Sequence, residues 1–272
     1  LNYRHAFHAG NFADLVKHAA LLHLLARLTE GAPLSVIDTH AGRGLYDLEG
    51  LEAKKSGEAE AGIGRLMAAS DAPAAFAPLT AAVGKLNGGG GVSRYPGSPW
   101  LIAEAIRPAD SYLACELRPE EHSALGEALK GRRNVRTRCA DGYEAAEIAI
   151  PQSGKALVLI DPPFERADDY ARCVDAAAAI LARNPDAVLM IWLPLKDLAT
   201  FDSFLGDLED ATSAPLLVAE TRIRPLTDPM KMNGCALVFV NAPAGLQGPV
   251  EDACRWTATA LGQGGEARVY QA

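Results

Sequence analysis

A short apolar run ends abruptly at Asp161 in LVLIDPPFERADDY, residues 157–170. Two prolines and an aromatic follow before charge resumes. The aspartate carboxylate and the carbonyl of Pro162 are two acceptors in one rigid turn, because proline fixes φ and donates no hydrogen bond. Such a pair can accept both hydrogens of an exocyclic amine whose lone pair is delocalised into a ring. It can also stabilise the charge that grows on that nitrogen as it attacks an electrophile. Phe164 can stack on the base carrying the amine. An Asp-Pro turn that merely ends a strand has the same letters, so the motif is weighed with its neighbours.

Three other strand ends carry related groups. LSVIDTHAGRGLY (34–46) is a strand followed by D-x-x-A-G-x-G. Gly42 and Gly44 let the backbone turn sharply and approach a ligand at the carboxyl end of a strand. The dinucleotide fingerprint G-x-G-x-x-G is not completed, so the glycine turn alone is weak evidence. YLACEL brings Glu116 to a strand tip, where a carboxylate can accept both hydroxyls of a ribose or simply be solvated. CADGY brings Asp141 and Gly142 to a third tip. There Asp141 suits an adenine contact and equally suits the N-cap of a helix starting near Tyr143.

The elements that must position these groups alternate. Strand-like runs are expected at 34–38, 111–116, 135–139, 156–161, 187–193, 216–222 and 235–241, with helical segments between most of them. This alternation predicts an α/β fold whose mainly parallel sheet is covered by helices on both faces. The last two strands are joined by a loop without helical pattern, which predicts an antiparallel hairpin at the sheet edge and a mixed sheet of about seven strands. Asn11 is expected to cap a helix with apolar residues from Phe12 to Leu25, and Ser98-Pro99 to supply an N-cap and a first-turn proline. Residues 47–97 contain helical patches but no good strand, and are read as an inserted helical subdomain dividing a domain made of 1–46 and 98–272. The Gly88 to Gly91 run precedes no Lys-Ser/Thr pair and reads as a flexible turn.

Composition narrows the class. A chain of 272 residues with 49% hydrophobic content can bury a full core. Its apolar runs are far shorter than the roughly 20 residues that span a bilayer, and no signal-peptide segment is evident, so a cytoplasmic location without membrane attachment is expected. The five cysteines are scattered without C-x-x-C, arguing against disulfides and zinc. His5, His8 and His40 match no common zinc spacing, and no metal is expected. A net charge of −8 argues against indiscriminate nucleic-acid binding but not against a local basic surface. Two clusters offer one: Lys130, Arg132, Arg133, Arg136 and Arg138, and then Arg222, Arg224 and Lys231. Phosphate contact and a solvated face are both open for the first cluster. Nearness to the expected substrate side favours contact for the second.

Four successive strand ends carrying D-x-x-A-G-x-G, E, D-G and D-P-P-F resemble a class I Rossmann-like methyltransferase that uses S-adenosylmethionine and methylates amines. YRHAFHAGNFADLVKH (3–18), DTHAG (38–42), RYPGSP (94–99) and ADGY (140–143) together resemble the RlmJ family over essentially the whole chain. That resemblance implies transfer to an adenine N6 in 23S ribosomal RNA, at adenine 2030 where the family target is kept, with S-adenosylhomocysteine as product. The substrate would be the RNA or a ribosomal precursor, and a monomer is expected rather than an obligate oligomer. The resemblance further implies that His18, His40, Gly42, Ser98, Glu116, Asp141 and Gly142 line the methyl-donor pocket, joined by Lys17 and by Asp161. Asp161 with Pro162 would act in catalysis, Phe164 would stack on the base, and Tyr3 or Arg4 would meet the RNA. The family commonly has tyrosine where this chain has Phe164, which keeps stacking and loses a hydroxyl. Another nucleic-acid amine as substrate (guanine N2 or DNA adenine), or a non-catalytic RNA-binding assembly factor, are the alternatives.

Overall fold

A computed structural model describes residues 5–228 and 232–272. The strands are β1 (Leu34–Asp38), β2 (Leu45–Asp47), β3 (Arg94–Pro96), β4 (Ser111–Glu116), β5 (Val135–Cys139), β6 (Lys155–Ile160), β7 (Val188–Leu195), β8 (Leu216–Arg222), β9 (Gly234–Val240) and β10 (Glu266–Gln271). The helices are α1 (Phe12–Leu28), α2 (Leu51–Ser56), α3 (Arg65–Ala68), α4 (Ala77–Leu86), α5 (Ser98–Ala105), α6 (Pro119–Ala128), α7 (Gly142–Ala149), α8 (Asp169–Arg183), α9 (Leu198–Ala211) and α10 (Gln247–Trp256).

Eight strands form one mixed sheet in the order β10-β8-β9-β7-β6-β1-β4-β5. β7, β6, β1, β4 and β5 pair in parallel, whereas β9 runs antiparallel to both β7 and β8, and β10 antiparallel to β8. Successive residues of a strand face opposite sides. Val36, Leu157 and Met190 therefore join the core under α1, α5, α6 and α10, while Ile37, Val158 and Leu189 join the core under α7, α8 and α9. The strand order reverses between β1 and β6, since the chain leaves β1 for β4 and β5 and returns on the other side.

Three sequence expectations need correction. The sheet has eight strands rather than seven, because Glu266–Gln271 adds to β8; its alternation is short and half exposed, with Ala267 and Val269 reaching one core and Tyr270 the other. The β8–β9 hairpin is consequently not the sheet edge. The stretch read as strandless, 47–97, contains β3 and the last residue of β2, which pair with each other at its neck. Between them, Ile63, Leu66, Phe76, Leu79 and Val83 share a third core with Leu15 and Ala19 of α1 and with Trp256. Among the described residues no helix is long and apolar enough to cross a membrane.

Candidate active site

The carboxyl ends of β1, β4, β5, β6 and β7 open into a cavity of about 720 Å³, a size typical of small-molecule and cofactor pockets. It lies at the reversal of strand order, where open α/β sheets bind ligands. Helix α1 contributes one wall. Asn11 caps α1, its side chain accepting from the Asp14 N–H, and so starts the helix where Asp14, Lys17 and His18 reach the cavity.

At the end of β6, Asp161 Oδ2 accepts a hydrogen bond from Lys17 Nζ at 2.6 Å, and the same ammonium lies 3.0 Å from Asp14 Oδ1. Lys17 is only 5% exposed. Burial alone would lower its pKa, but the two facing carboxylates outweigh it and hold the ammonium well above the ordinary lysine range. Asp14 is the converse: burial pushes its carboxyl up, while His5 and Lys17 hold it well below the usual carboxylate range. Asp14 Oδ2 also takes the Gly10 N–H and lies 3.0 Å from His5 Nε2. Asp161 Oδ1 has no protein donor among the described residues. Beside it, Pro162 is buried, and Phe164 sits at φ +50°, a left-handed conformation that costs a non-glycine residue about 1 kcal/mol or more. Its ring rests against Tyr170 at 4.7 Å and Trp192 at 6.0 Å.

The neighbouring wall is built from β1 and its glycine loop. Gly42 and Gly44 have φ of +64° and +82°, and the Gly42 N–H donates to Glu116 Oε2 at 2.9 Å. Glu116 Oε1 accepts from the Arg118 N–H, and burial raises its pKa. Asp38 is fully buried; Oδ2 accepts from Ser98 Oγ at 2.9 Å and from the Tyr112 hydroxyl, and burial pushes its carboxyl up to about 7. Ser98 is thus not the N-cap of α5. Gly97 takes that place, and the Ser98 hydroxyl is spent on Asp38.

Two histidines of the cavity, His18 and His40, are held neutral. Burial lowers His18 to about 3 and His40 to about 4. His18 Nδ1 lies 2.8 Å from the Tyr95 hydroxyl, and its buried Nε2, 4.0 Å from Asp14 Oδ1, has no hydrogen-bond partner among the described residues. His40 Nδ1 lies 2.7 Å from Thr39 Oγ1, and its ring meets Tyr143 edge-on. His5, His8 and His40 face different partners (Asp14, Glu58 and Thr39), and no group of three metal-ligating side chains occurs among the described residues.

Asp141 caps α7, Oδ1 accepting from the Tyr143 N–H, while Oδ2 accepts from Arg172 at 2.7 Å. Burial opposes its ionisation, but the Arg172 guanidinium outweighs that and holds the carboxyl below its ordinary value. Arg172 also lies over the Tyr143 ring, 4.5 Å from its centre. Gly142 is dictated by packing, since a Cβ there would stand 1.8 Å from the Thr39 carbonyl oxygen.

Lys17, His18, His40, Gly42, Ser98, Glu116, Asp141, Gly142, Asp161, Pro162 and Phe164 therefore share one cavity. Tyr3, Arg4 and Lys231 lie outside the described residues. Asp14, Asp38, Tyr95 and Arg172 are partners that sequence reasoning gave no role. For Asp14 a signal existed, a D-x-x-K pair in a mainly apolar helix. The first basic cluster is partly neutralised, with Arg132 on Glu104 and Lys130 on Glu127, while Arg136 and Arg138 stand exposed on the edge strand β5.

The family model described as "Ribosomal RNA large subunit methyltransferase D, RlmJ" matches residues 31–271. The Ribosomal RNA large subunit methyltransferase J of Haemophilus influenzae is 35% identical over 89% of this chain and 88% of its own length. That of Escherichia coli is 31% identical over 94% and 92%. A crystal structure of a Legionella pneumophila protein, 27% identical, superposes with a TM-score of 0.88 over 97% of this chain and 98% of the other.

Proposed function

The chain belongs to the RlmJ family of large-subunit ribosomal RNA methyltransferases, and from that premise we propose that it methylates the N6 amine of an adenine in 23S ribosomal RNA, with S-adenosylmethionine as donor. The observation that carries this reading is Asp161: anchored through Oδ2 and open at Oδ1, it stands beside a rigid proline turn and an aromatic, in one cavity with the glycine loop of β1.

The cavity fits the donor in three ways. Its volume suits a nucleoside of that size. Glu116 spends one interaction per oxygen on backbone N–H groups and keeps lone pairs for ribose hydroxyls. With Nδ1 accepting from Tyr95, His18 carries its proton on Nε2, which makes no hydrogen bond among the described residues and is a donor for an amino-acid carboxylate. Lys17, His18, Ser98 and the loop at His40 and Gly42 would hold the amino-acid end, Glu116 the ribose, and Asp141 with Gly142 the adenine. When bound, S-adenosylmethionine supplies a methyl group on a sulfonium, an electrophile open to in-line attack.

The protein's part is to prepare the nucleophile. Asp161 Oδ1 and the Pro162 carbonyl accept the two hydrogens of the N6 amine, drawing the nitrogen lone pair out of ring conjugation. Lys17 prevents rotation of the carboxylate by holding Oδ2. As the N–C bond formed, the methyl–sulfur bond would break to leave the neutral thioether S-adenosylhomocysteine, the positive charge would pass to nitrogen, and one of its protons would go to Asp161 or through it to water. Phe164 stacks on the extruded base, and Tyr3 and Arg4 meet the RNA. The reading places the protein in the cytoplasm, on ribosomal RNA or a ribosomal precursor.

Incubation with labelled donor and an unmodified large-subunit ribosomal RNA transcript tests this. The protein is expected to incorporate label into N6-methyladenosine and an Asp161→Ala variant to lose it. Equal incorporation by both would overturn the role of Asp161.

A further inference from the structure

The exit side of the cavity carries two cations that the reaction chemistry does not use. Ile160, the last residue of β6, pairs with Ile191, but β7 continues to Leu195. This overhang carries the end of β7 roughly 10 Å outward of Asp161. Leu195 and Arg222 both pair with Gly234 of β9, so β7 and β8 end level with each other, two strand spacings or roughly 10 Å apart. Lys196 follows the first end and Arg224 the second. Both are exposed, and both line the cavity that holds Phe164.

Neither makes an ion pair among the described residues, although the chain has 34 acids to 26 lysines and arginines. Arg43, Arg132, Arg166, Arg172 and Arg222 are all matched with carboxylates. The loops bearing the two cations are also stitched together. Buried Asn233 donates its side-chain amide to the carbonyls of Lys196 and Asp228, its backbone N–H donates to the Leu195 carbonyl, and its own carbonyl accepts from the Ile223 N–H. Ile223 and Met232 line the cavity beside the two cations.

We propose that Lys196 and Arg224 grip backbone phosphates of the RNA strand flanking the extruded target nucleotide. The proposal rests on the methyl-transfer reading above. A base whose amine reaches Asp161 leaves its sugar-phosphate at this rim, and a strand passing over β7, β9 and β8 meets one cation on each side. Phosphate contacts of this kind set register and add affinity without reading sequence.

The test is equilibrium binding of a labelled, unmodified large-subunit ribosomal RNA transcript across a salt series, paired with methylation at saturating RNA. For Lys196→Gln/Arg224→Gln, Kd is expected to rise at least about tenfold. The slope of log K against log salt should flatten by roughly 1.4, about 0.7 for each single-strand phosphate that is no longer neutralised. The turnover rate should stay within about twofold. Arg136→Gln/Arg138→Gln, on the β5 edge, should change neither Kd nor slope. Unaltered Kd and slope in the first variant, or equal losses in both, overturn the clamp while methylation by the unaltered protein leaves the enzyme reading standing. No methylation by the unaltered protein overturns that reading and the clamp with it.

Discussion

Lys17 Nζ lies 2.6 Å from Asp161 Oδ2, joining residues 144 positions apart through one buried ammonium. The same ammonium meets Asp14 one helical turn earlier, so helix α1 sets the orientation of a carboxylate at the end of β6. An aspartate held this way offers its second oxygen in a fixed direction, which is what an amine acceptor needs.

Replacing Asp161 by Asn keeps the shape of the side chain but turns one of its two acceptors into a donor. The expected loss in kcat is about 100-fold or more, the scale for removing one electrostatic partner of a transition state. Single-turnover methylation measures it, and a loss below about tenfold would contradict the role. Lys17→Met leaves Asp14 buried without its ammonium. Breaking such a buried pair costs about 3–5 kcal/mol, and urea unfolding should show a correspondingly lower midpoint.

Glycines 142 and 84 predict opposite signs for the same substitution. A Cβ on Gly142 would overlap the Thr39 carbonyl oxygen, and backbone at both places must move to admit it. Gly142→Ala should destabilise by about 1–3 kcal/mol and distort the loop that carries His40. Gly84 lies in α4 with nothing within 4 Å of its missing Cβ. Gly84→Ala should stabilise by about 0.5–1 kcal/mol, since glycine pays excess entropy in a helix. Thermal melts of the two variants decide both.

The strand tips are legible in the sequence because apolar runs broken by Asp161, Glu116, Asp141 or the Gly42 loop combine a period of two with turn residues. What brings them together is not. Nothing local to Asn11–Lys17 signals an aspartate 144 residues on, and pairing across a sheet leaves no periodic trace. Glu266–Gln271 escapes pattern reading because it is six residues long, with Glu266, Arg268 and Gln271 exposed and its apolar residues only partly buried. Ser98 reads as a cap from its proline neighbour, but buried Asp38 competes for its hydroxyl and wins, since an unsatisfied buried carboxylate costs more than an uncapped N–H.

Asp38 predicts a pH dependence. Burial raises its carboxyl from 3.8 to about 7, so the folded chain binds this proton more tightly than the unfolded chain. Between about pH 4 and pH 7 the folded state holds the extra proton, and stability from this group falls as pH rises. The contribution is full below the unfolded value and lost through the folded one, up to about 4 kcal/mol in all. Asp38→Asn should flatten the decline in urea unfolding free energy between about pH 4 and pH 7. An identical slope in the variant would show that Asp38 does not titrate there.

Phe164 separates stacking from hydroxyl chemistry. Its φ of +50° is strained for a side chain bearing a Cβ, and the strain is held by the proline turn before it and by Tyr170 and Trp192 around its ring. A glycine would relieve that strain, so keeping an aromatic here implies a use for the ring face. Base stacking is worth about 1–3 kcal/mol, which converts to a loss of about 5- to 150-fold in kcat/KM for Phe164→Ala. Phe164→Tyr should stay within about threefold, because the stacking area is unchanged and the proposed amine acceptors, Asp161 and Pro162, are untouched. Phe164→Gly distinguishes the two contributions: it should match or exceed the alanine variant in thermal stability while showing at least the same loss in kcat/KM. Wild-type kcat/KM in either truncated variant would mean that the ring packs against Tyr170 and Trp192 and carries no base.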